Sequence, residues 1–247
     1  MRRHALVLSA VAVLAACQGE SANPAPSTTP EPERPGGVEP AATAGGGANE
    51  GPGASPASGT QPDGLQGASS SWREVATADD ASRLSRLDQA WRMARAEAEA
   101  KGFASQVEAL GALVDPNAAL PGRLQPSPGD YRCRTFKIGS INGDGLGYVA
   151  YPWFRCSVEL TVGGDLILSK ATGSQRSQGL LYPDSERRLV FIGAQAWGSE
   201  ERGYPRYGQM PERDQIGVLE RIGDQRWRLV LPWPKQEAKL ELLEISR

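Results

Sequence analysis

Gly129-Asp130-Tyr131-Arg132-Cys133-Arg134-Thr135-Phe136-Lys137-Ile138 is the stretch on which the fold turns. Upstream of it, large apolar residues recur at steps of three and four, the period of a helix face. From Tyr131 onward the step shortens to two, the period of a strand. The spacing predicts strands over 131–138, 148–162, 166–172, 179–182, 188–197, 215–222, 226–231 and 239–245. Turn signals stand between them at Asn142-Gly143-Asp144-Gly145, Gly163-Gly164-Asp165, Pro183-Asp184-Ser185 and Gly223-Asp224-Gln225. Short strands joined by tight turns make an antiparallel meander of about eight strands over 129–247, either a small barrel or a strongly curved sheet. Pro152 lacks an N–H and should bend or interrupt the second strand.

Working back from this stretch, a Pro/Gly-rich connection over 121–129 separates the meander from a helical segment. Thr77 followed by Asp79 and Asp80 suits a helix N-terminus. Leu84, Leu87, Trp91, Ala94 and Ala98 then form one apolar stripe, ended by Lys101-Gly102. Phe103, Val107, Leu110 and Val114 continue the period in a shorter helix stopped by Asp115-Pro116. The result is a helical hairpin over 72–116 whose stripe needs another surface to cover. The fold class is therefore α+β, with a single folded domain over 72–247.

Residues 17–71 are nearly all Pro, Gly, Ala, Ser, Thr and Glu, with Val38 and Leu65 the only larger aliphatics. Such a segment buries too little apolar surface to offset ordering entropy, so it reads as a disordered tether. As a flexible coil it would span roughly 40 Å root-mean-square. Before it, Arg2 and Arg3 precede an apolar run over 5–14 and the small-residue exit Leu14-Ala15-Ala16-Cys17. This is the layout of a cleavable signal peptide over 1–16, and the run is far short of the roughly 20 residues of a spanning helix.

The exit resembles the lipobox of bacterial lipoproteins. That resemblance implies a diacylglycerol on Cys17 and membrane attachment by two or more acyl chains, enough for stable anchoring. Gln18, rather than Asp, follows the cysteine, which in that family points to the periplasmic face of the outer membrane.

Composition excludes more than it assigns. The 27 basic residues less Arg2 and Arg3 leave 25 against 29 acids, a mildly acidic mature chain of −4. That offers no footprint for nucleic acid. The sole histidine, His4, leaves with the signal peptide, which removes His-based nucleophile triads and His-containing zinc sites. With Cys17 lipidated, Cys133 and Cys156 remain as a disulfide pair in an exported protein. Cys133 shares a strand face with Tyr131 and Thr135, and Cys156 with Phe154, Val158 and Leu160. Their bridge would close a loop of about 24 residues, worth roughly 3 kcal/mol in the chain-entropy model.

No catalytic, cofactor-binding or metal residues are assigned. The glycine-rich 139–147 segment lacks both a Gly-Lys-Ser/Thr ending and a calcium-loop glutamate, and reads as a turn. The acid pairs Asp79/Asp80, Glu200/Glu201 and Glu212/Asp214 read as solvated surface. In the aromatic segment 148–154, Tyr151 and Trp153 are candidates to line a site for a sugar or an apolar ligand, set against core packing at a strand bend. The 198–214 connection is long enough to be functional. There Tyr204, Arg206, Tyr207 and Arg213 are candidate partner contacts, since Tyr and Arg are favoured at binding hot spots.

The strings Gly129-Asp130-Tyr131-Arg132-Cys133-Arg134, Tyr148-Val149-Ala150-Tyr151-Pro152, Thr172-Gly173-Ser174-Gln175-Arg176, Gly179-Leu180-Leu181-Tyr182-Pro183 and Arg228-Leu229-Val230-Leu231-Pro232-Trp233-Pro234 together resemble DUF4893. This is a domain-of-unknown-function family of alphaproteobacterial exported proteins and lipoproteins. The resemblance runs from about Trp72 to the C-terminus and implies an envelope location, with no catalytic residues to carry over. A more distant architectural likeness is to small periplasmic β-barrels, both lipocalin-like binders and inhibitors of lysozyme or proteases; architecture alone assigns no function. The sequence thus favours a non-catalytic binding or scaffolding lipoprotein without a cofactor. Its partner would be an envelope protein or a small apolar or sugar ligand. Next comes a barrel-type inhibitor of an envelope hydrolase, and then a histidine-free enzyme using carboxylates.

Overall fold

The computed structural model describes residues 71–247; the predicted signal peptide, Cys17 and all but the end of the predicted tether lie outside the described residues. Nine strands form one sheet: β1 (Gly129–Ser140), β2 (Tyr148–Ala150), β3 (Phe154–Leu160), β4 (Leu166–Lys170), β5 (Gln175–Ser185), β6 (Arg188–Trp197), β7 (Asp214–Gly223), β8 (Arg226–Pro232) and β9 (Ala238–Ser246). Every pairing is antiparallel, and β1 also pairs with β9 over its length, from Arg132 opposite Ser246 to Ser140 opposite Ala238. The meander therefore closes into a barrel. β2 and β3 lie along the same edge of β1, one against Phe136–Ile138 and the other against 129–133. They are one strand interrupted at Tyr151-Pro152-Trp153, where the predicted break at Pro152 falls, so the ring counts eight. β5 extends well beyond the predicted 179–182, because its added residues are polar and break the apolar pattern.

Strands β6 to β9 are buried on both faces, whereas the outer face of β3 is open to solvent. In β6, Leu189 and Phe191 point inward to Leu219, Leu229, Leu231 and Leu243, whereas Val190 and Ile192 point outward to the layer beneath the helices. That is why β6 reads as a continuous apolar run, the signature of a strand covered on both sides. Close approach between neighbouring strands depends on two glycines. A Cβ at Gly193 would overlap the Gln178 carbonyl oxygen, and one at Gly217 the Val230 carbonyl oxygen. Only Gly permits such close strand approach at a tight corner of a sheet.

The helical segment wraps the outer face. It comprises α1 (Trp72–Val75), α2 (Ala78–Ser85), α3 (Leu87–Ala100), α4 (Ala104–Glu108) and a 3-10 turn at Gly111–Leu113. Thr77 caps α2 by accepting from the Asp80 N–H at 3.2 Å. The single long helix expected from Thr77 to Lys101 is divided at Arg86 (φ −98°, ψ 22°). No Gly or Pro marks the division; α2 packs on β7 while α3 packs on β1 and β9, and a straight helix could not follow the barrel between them. Ala90, Ala94 and Ala98 are fully buried, and their small side chains let α3 lie close to the strands. Trp72 donates its indole N–H to Asp184 Oδ1 at 2.7 Å, fixing α1 to β5.

Two further devices tie the layers together. Arg228, on β8, is fully buried beneath the helical segment. It pairs with Glu220 Oε2 at 2.7 Å and donates to the carbonyls of Ala112, Leu113 and Asp115 at 3.0, 3.0 and 2.6 Å. On α3, Glu97 binds Lys101, Lys239 and Ser140 at 2.8, 2.5 and 2.6 Å, joining the helix to the barrel rim. Burial alone would raise the Glu97 carboxyl, but the hydrogen bonds from Lys101, Lys239 and Ser140 outweigh it and bring it down to about 2.

Cys133 and Cys156 form the expected disulfide, with Cα atoms 5.9 Å apart, and staple β1 to β3 from inside the barrel. Of the residues read onto the Cys156 face, Leu160 is exposed, because the β3–β4 hairpin projects past the rim. Among the described residues, no helix is long and apolar enough to cross a membrane.

Candidate functional site

The two ends of the barrel interior differ. At one end Trp227 meets Tyr131 edge-on with ring centroids 5.9 Å apart. Their polar tips donate to the carbonyls of Leu124 and Ser127, both at 2.7 Å, on the connection that seals that end. Above this plug the interior is aliphatic around Leu229 and Leu243. Toward the other end the same inward-facing positions turn polar. On β1 the series Tyr131, Cys133 continues as Thr135 and Lys137; on β9, Ile245 and Leu243 give way to Glu241. Lys170 ends β4 and Gln175 opens β5 at this same mouth.

Thr135, Lys137, Tyr151, Phe154, Lys170, Gln175, Glu237 and Glu241 enclose a cavity of about 120 Å³, several times the roughly 10–15 Å³ that one water needs. A neighbouring crevice of about 10 Å³ reaches Gln215 and touches Glu241 from the other side. Past Lys137, Tyr151 and Glu237 the cavity opens into a groove of about 510 Å³ under the 140–146 loop.

The lysines are held in place as wall groups. Lys137 donates to Gln175 Oε1 at 2.6 Å and pairs with Glu237. Lys170 donates to the carbonyls of Thr172 and Gln175 at 3.0 and 2.5 Å, and its ammonium sits 3.9 Å from the Phe154 ring centroid. Its three N–H directions thereby face two carbonyl oxygens and an aromatic ring, which hold the group against the wall. Burial would depress Lys137, but Glu241 and Glu237 outweigh it and push its pKa up. For Lys170 burial prevails over the attraction of Glu241 and, with repulsion from Lys137 and Arg176, brings it down to about 8.

Glu241 is the exception to this pairing. It lies directly opposite Lys137 in the β1–β9 register and is only 7 % exposed. Among the described residues no hydrogen bond reaches its carboxylate; Lys137 and Lys170 act on it through charge alone, and burial prevails to push its pKa up. Its carboxylate lines the cavity, so the donors that reach it come from whatever occupies that space.

The candidates read from the sequence divide. Tyr151 lines the cavity. Trp153 lies outside the barrel, stacked on the Arg132 and Arg134 guanidiniums at 4.5 and 4.7 Å. In the 198–214 connection, Tyr204 donates to the Lys170 carbonyl at 2.9 Å. Tyr207 donates to Asp80 and accepts from the Thr77 N–H at 2.9 Å; burial and that aspartate push its hydroxyl up to about 12. Arg213 pairs with Glu201 at 2.5 Å and lies 4.4 Å from the Trp197 ring, at the edge of the small crevice, while Arg206 is exposed. Tyr204 and Tyr207 thus fasten the connection to β4 and α2, and Arg213 braces it internally while resting on Trp197 of β6. Cys17 lies outside the described residues. Lys137, Lys170, Gln175 and Glu241 were not singled out in the sequence, although each breaks the apolar series on the inward phase of its strand. Among the described residues no group of three or more His, Cys, Asp or Glu side chains is placed to hold a metal ion.

No curated protein and no solved structure matches this chain. A family model does, over residues 72–245, which takes in the helical wrap and every strand of the barrel. The chain belongs to the DUF4893 family, described as a domain of unknown function.

Proposed function

We propose that this chain is a lipid-anchored cell-envelope protein whose barrel is a non-catalytic binding module, taking a small polar ligand at its open mouth. The observation that carries the binding reading is the Glu241 carboxylate, buried, aimed into a cavity and without a hydrogen-bond donor among the described residues. A wall group of this kind suits a site whose partner arrives from outside. The anchor reading rests on Leu14-Ala15-Ala16-Cys17 behind a basic start and a short apolar run, and Gln18 favours the periplasmic face of the outer membrane. On this reading the 17–71 segment is a tether that lets the barrel work away from the bilayer. The inhibitor reading has less support, because Tyr204 and Tyr207 hold the 198–214 connection to the domain, and Arg213 rests on Trp197, instead of presenting it to a target.

Native mass spectrometry of the full chain, exported and extracted in mild detergent, tests both parts. Binding predicts a mass excess that disappears on denaturation, whereas a chain carrying nothing beyond its acyl groups would refute it. Lipidation predicts that Cys17→Ser loses the acyl mass and moves to the soluble fraction; an unchanged membrane fraction would refute the anchor.

A further inference from the structure

We propose that the mouth cavity takes a neutral, hydroxyl-bearing ligand, a saccharide ring, with Glu241 accepting hydrogen bonds from its hydroxyls and Tyr151 offering an aromatic face. This rests on the binding reading above and names the ligand's chemistry.

The charge of the cavity comes first. Its walls carry two cations, Lys137 and Lys170, and two carboxylates, Glu237 and Glu241. An ammonium ligand on Glu241 would sit among two lysines. An anion would meet two carboxylates, and the lysines are already held by Gln175, Glu237 and the carbonyls of Thr172 and Gln175. Either charge meets its like in a poorly solvated space, where repulsion is strong. A neutral ligand escapes both.

Hydrogen-bonding capacity decides the rest. A carboxylate only accepts, so Glu241 asks for donors, and vicinal hydroxyls supply two in the geometry that its two oxygens offer. Tyr151 and Thr135 add hydroxyls to the same wall that both donate and accept, matching groups that do the same on a sugar. The Tyr151 and Phe154 rings give apolar faces for the C–H side of a pyranose. Gln215, whose buried Oε1 lacks a partner, faces the separate small crevice, which has room for about one water.

The cavity suits one ring, and its opening into the groove beside Ser140, Asn142 and Asp144 gives a longer glycan an exit. The ligand is therefore either a free sugar or the end of a chain, and the test separates them. The purified full chain is titrated with glucose, galactose and N-acetylglucosamine, and with the isosteric charged analogues glucosamine and glucuronate. Cellobiose and chitotriose represent chain ends. Saturation-transfer NMR detects weak binding and calorimetry gives the affinities.

At least one neutral sugar is expected to bind roughly tenfold or more tightly than its charged analogues. Loss of a charge-assisted hydrogen bond should weaken that sugar by about tenfold or more in Glu241→Gln. Preference for the oligosaccharides over the monosaccharides identifies a chain end; equal affinity identifies a free sugar. Either supports the proposal. The melting temperature of Glu241→Met is read beside its affinity, so that lost binding in a variant that still melts cooperatively is not loss of fold. Tighter binding of glucosamine or glucuronate, or no binding by any neutral sugar, overturns the proposal. In that event a ligand retained in native mass spectrometry would leave the binding reading standing, and a bare chain would remove both.

Discussion

Replacing Arg228 by Met tests whether one side chain clamps the helical wrap to the barrel. Met keeps much of the stem's volume and removes the charge and every donor. Glu220 is 9 % exposed and loses the guanidinium at 2.7 Å, while the carbonyls of Ala112, Leu113 and Asp115 lose theirs at 3.0, 3.0 and 2.6 Å. Breaking a buried ion pair on one side costs about 3–5 kcal/mol. The carbonyls add less, because Asp115 lies at the surface and water can replace its donor. At roughly 2–4 °C per kcal/mol for a domain of this size, the melting temperature should fall by about 6–20 °C. Differential scanning calorimetry at neutral pH measures this directly. Glu220→Met combined with Arg228→Met should be less damaged than Arg228→Met alone, since no uncompensated charge remains. A fall of less than about 2 °C in the single variant, or a double variant no better than the single, would refute the reasoning.

Two further outcomes are expected. Glu97 lies at about 2 in the folded chain against an ordinary value of 4.5, so its contribution to stability is full above about pH 4.5 and is lost as the pH falls toward 2; urea midpoints across that window should decline less steeply in Glu97→Gln than in the native chain, and parallel curves would count against the assignment. Gly193→Ala forces a methyl onto the Gln178 carbonyl oxygen and should destabilise by at least the 1–3 kcal/mol typical of overpacking, read as an earlier urea midpoint, whereas an unaffected midpoint would mean that β5 and β6 can separate freely.

The strands and their turns were legible because a period of two and the Gly/Asp/Asn clusters are local properties of the chain. So was the interruption at Pro152, which follows from a missing N–H. Closure was not legible: nothing in residues 132–140 or 238–246 announces that these segments pair, and a curved open sheet has the same alternation. The division at Arg86 was hidden for a related reason, since the cause is the barrel surface beneath α2 and α3 and no local helix breaker is present.

The site was the hardest part to read. A Lys or Glu at alternate positions of a strand ordinarily marks the solvent face, and Lys137 and Glu241 occupy the inward phase only once the barrel is known to close. The clue was the phase itself. Lys137 follows Tyr131 and Cys133 in steps of two, and Glu241 precedes Leu243 and Ile245 in the same way. Tyr151 was reached by a different signal, the density of aromatics in 148–154, which also pointed to Trp153 on the outer surface.

The seam between β1 and β9 also bears on how the molecule comes into being. Its partners, such as Arg132 and Ser246, are more than a hundred residues apart, so the loop that their meeting closes contains the rest of the barrel. Long-range pairing of this kind is slow, because chain entropy must be lost before the contacts form. Until β9 docks, β1 has one edge bare, and the inward face of the unfinished sheet is open to water and to other chains. The residues of β9 therefore set the moment at which β1 becomes native, and the interval before that moment is when the chain is most prone to associate with its own kind.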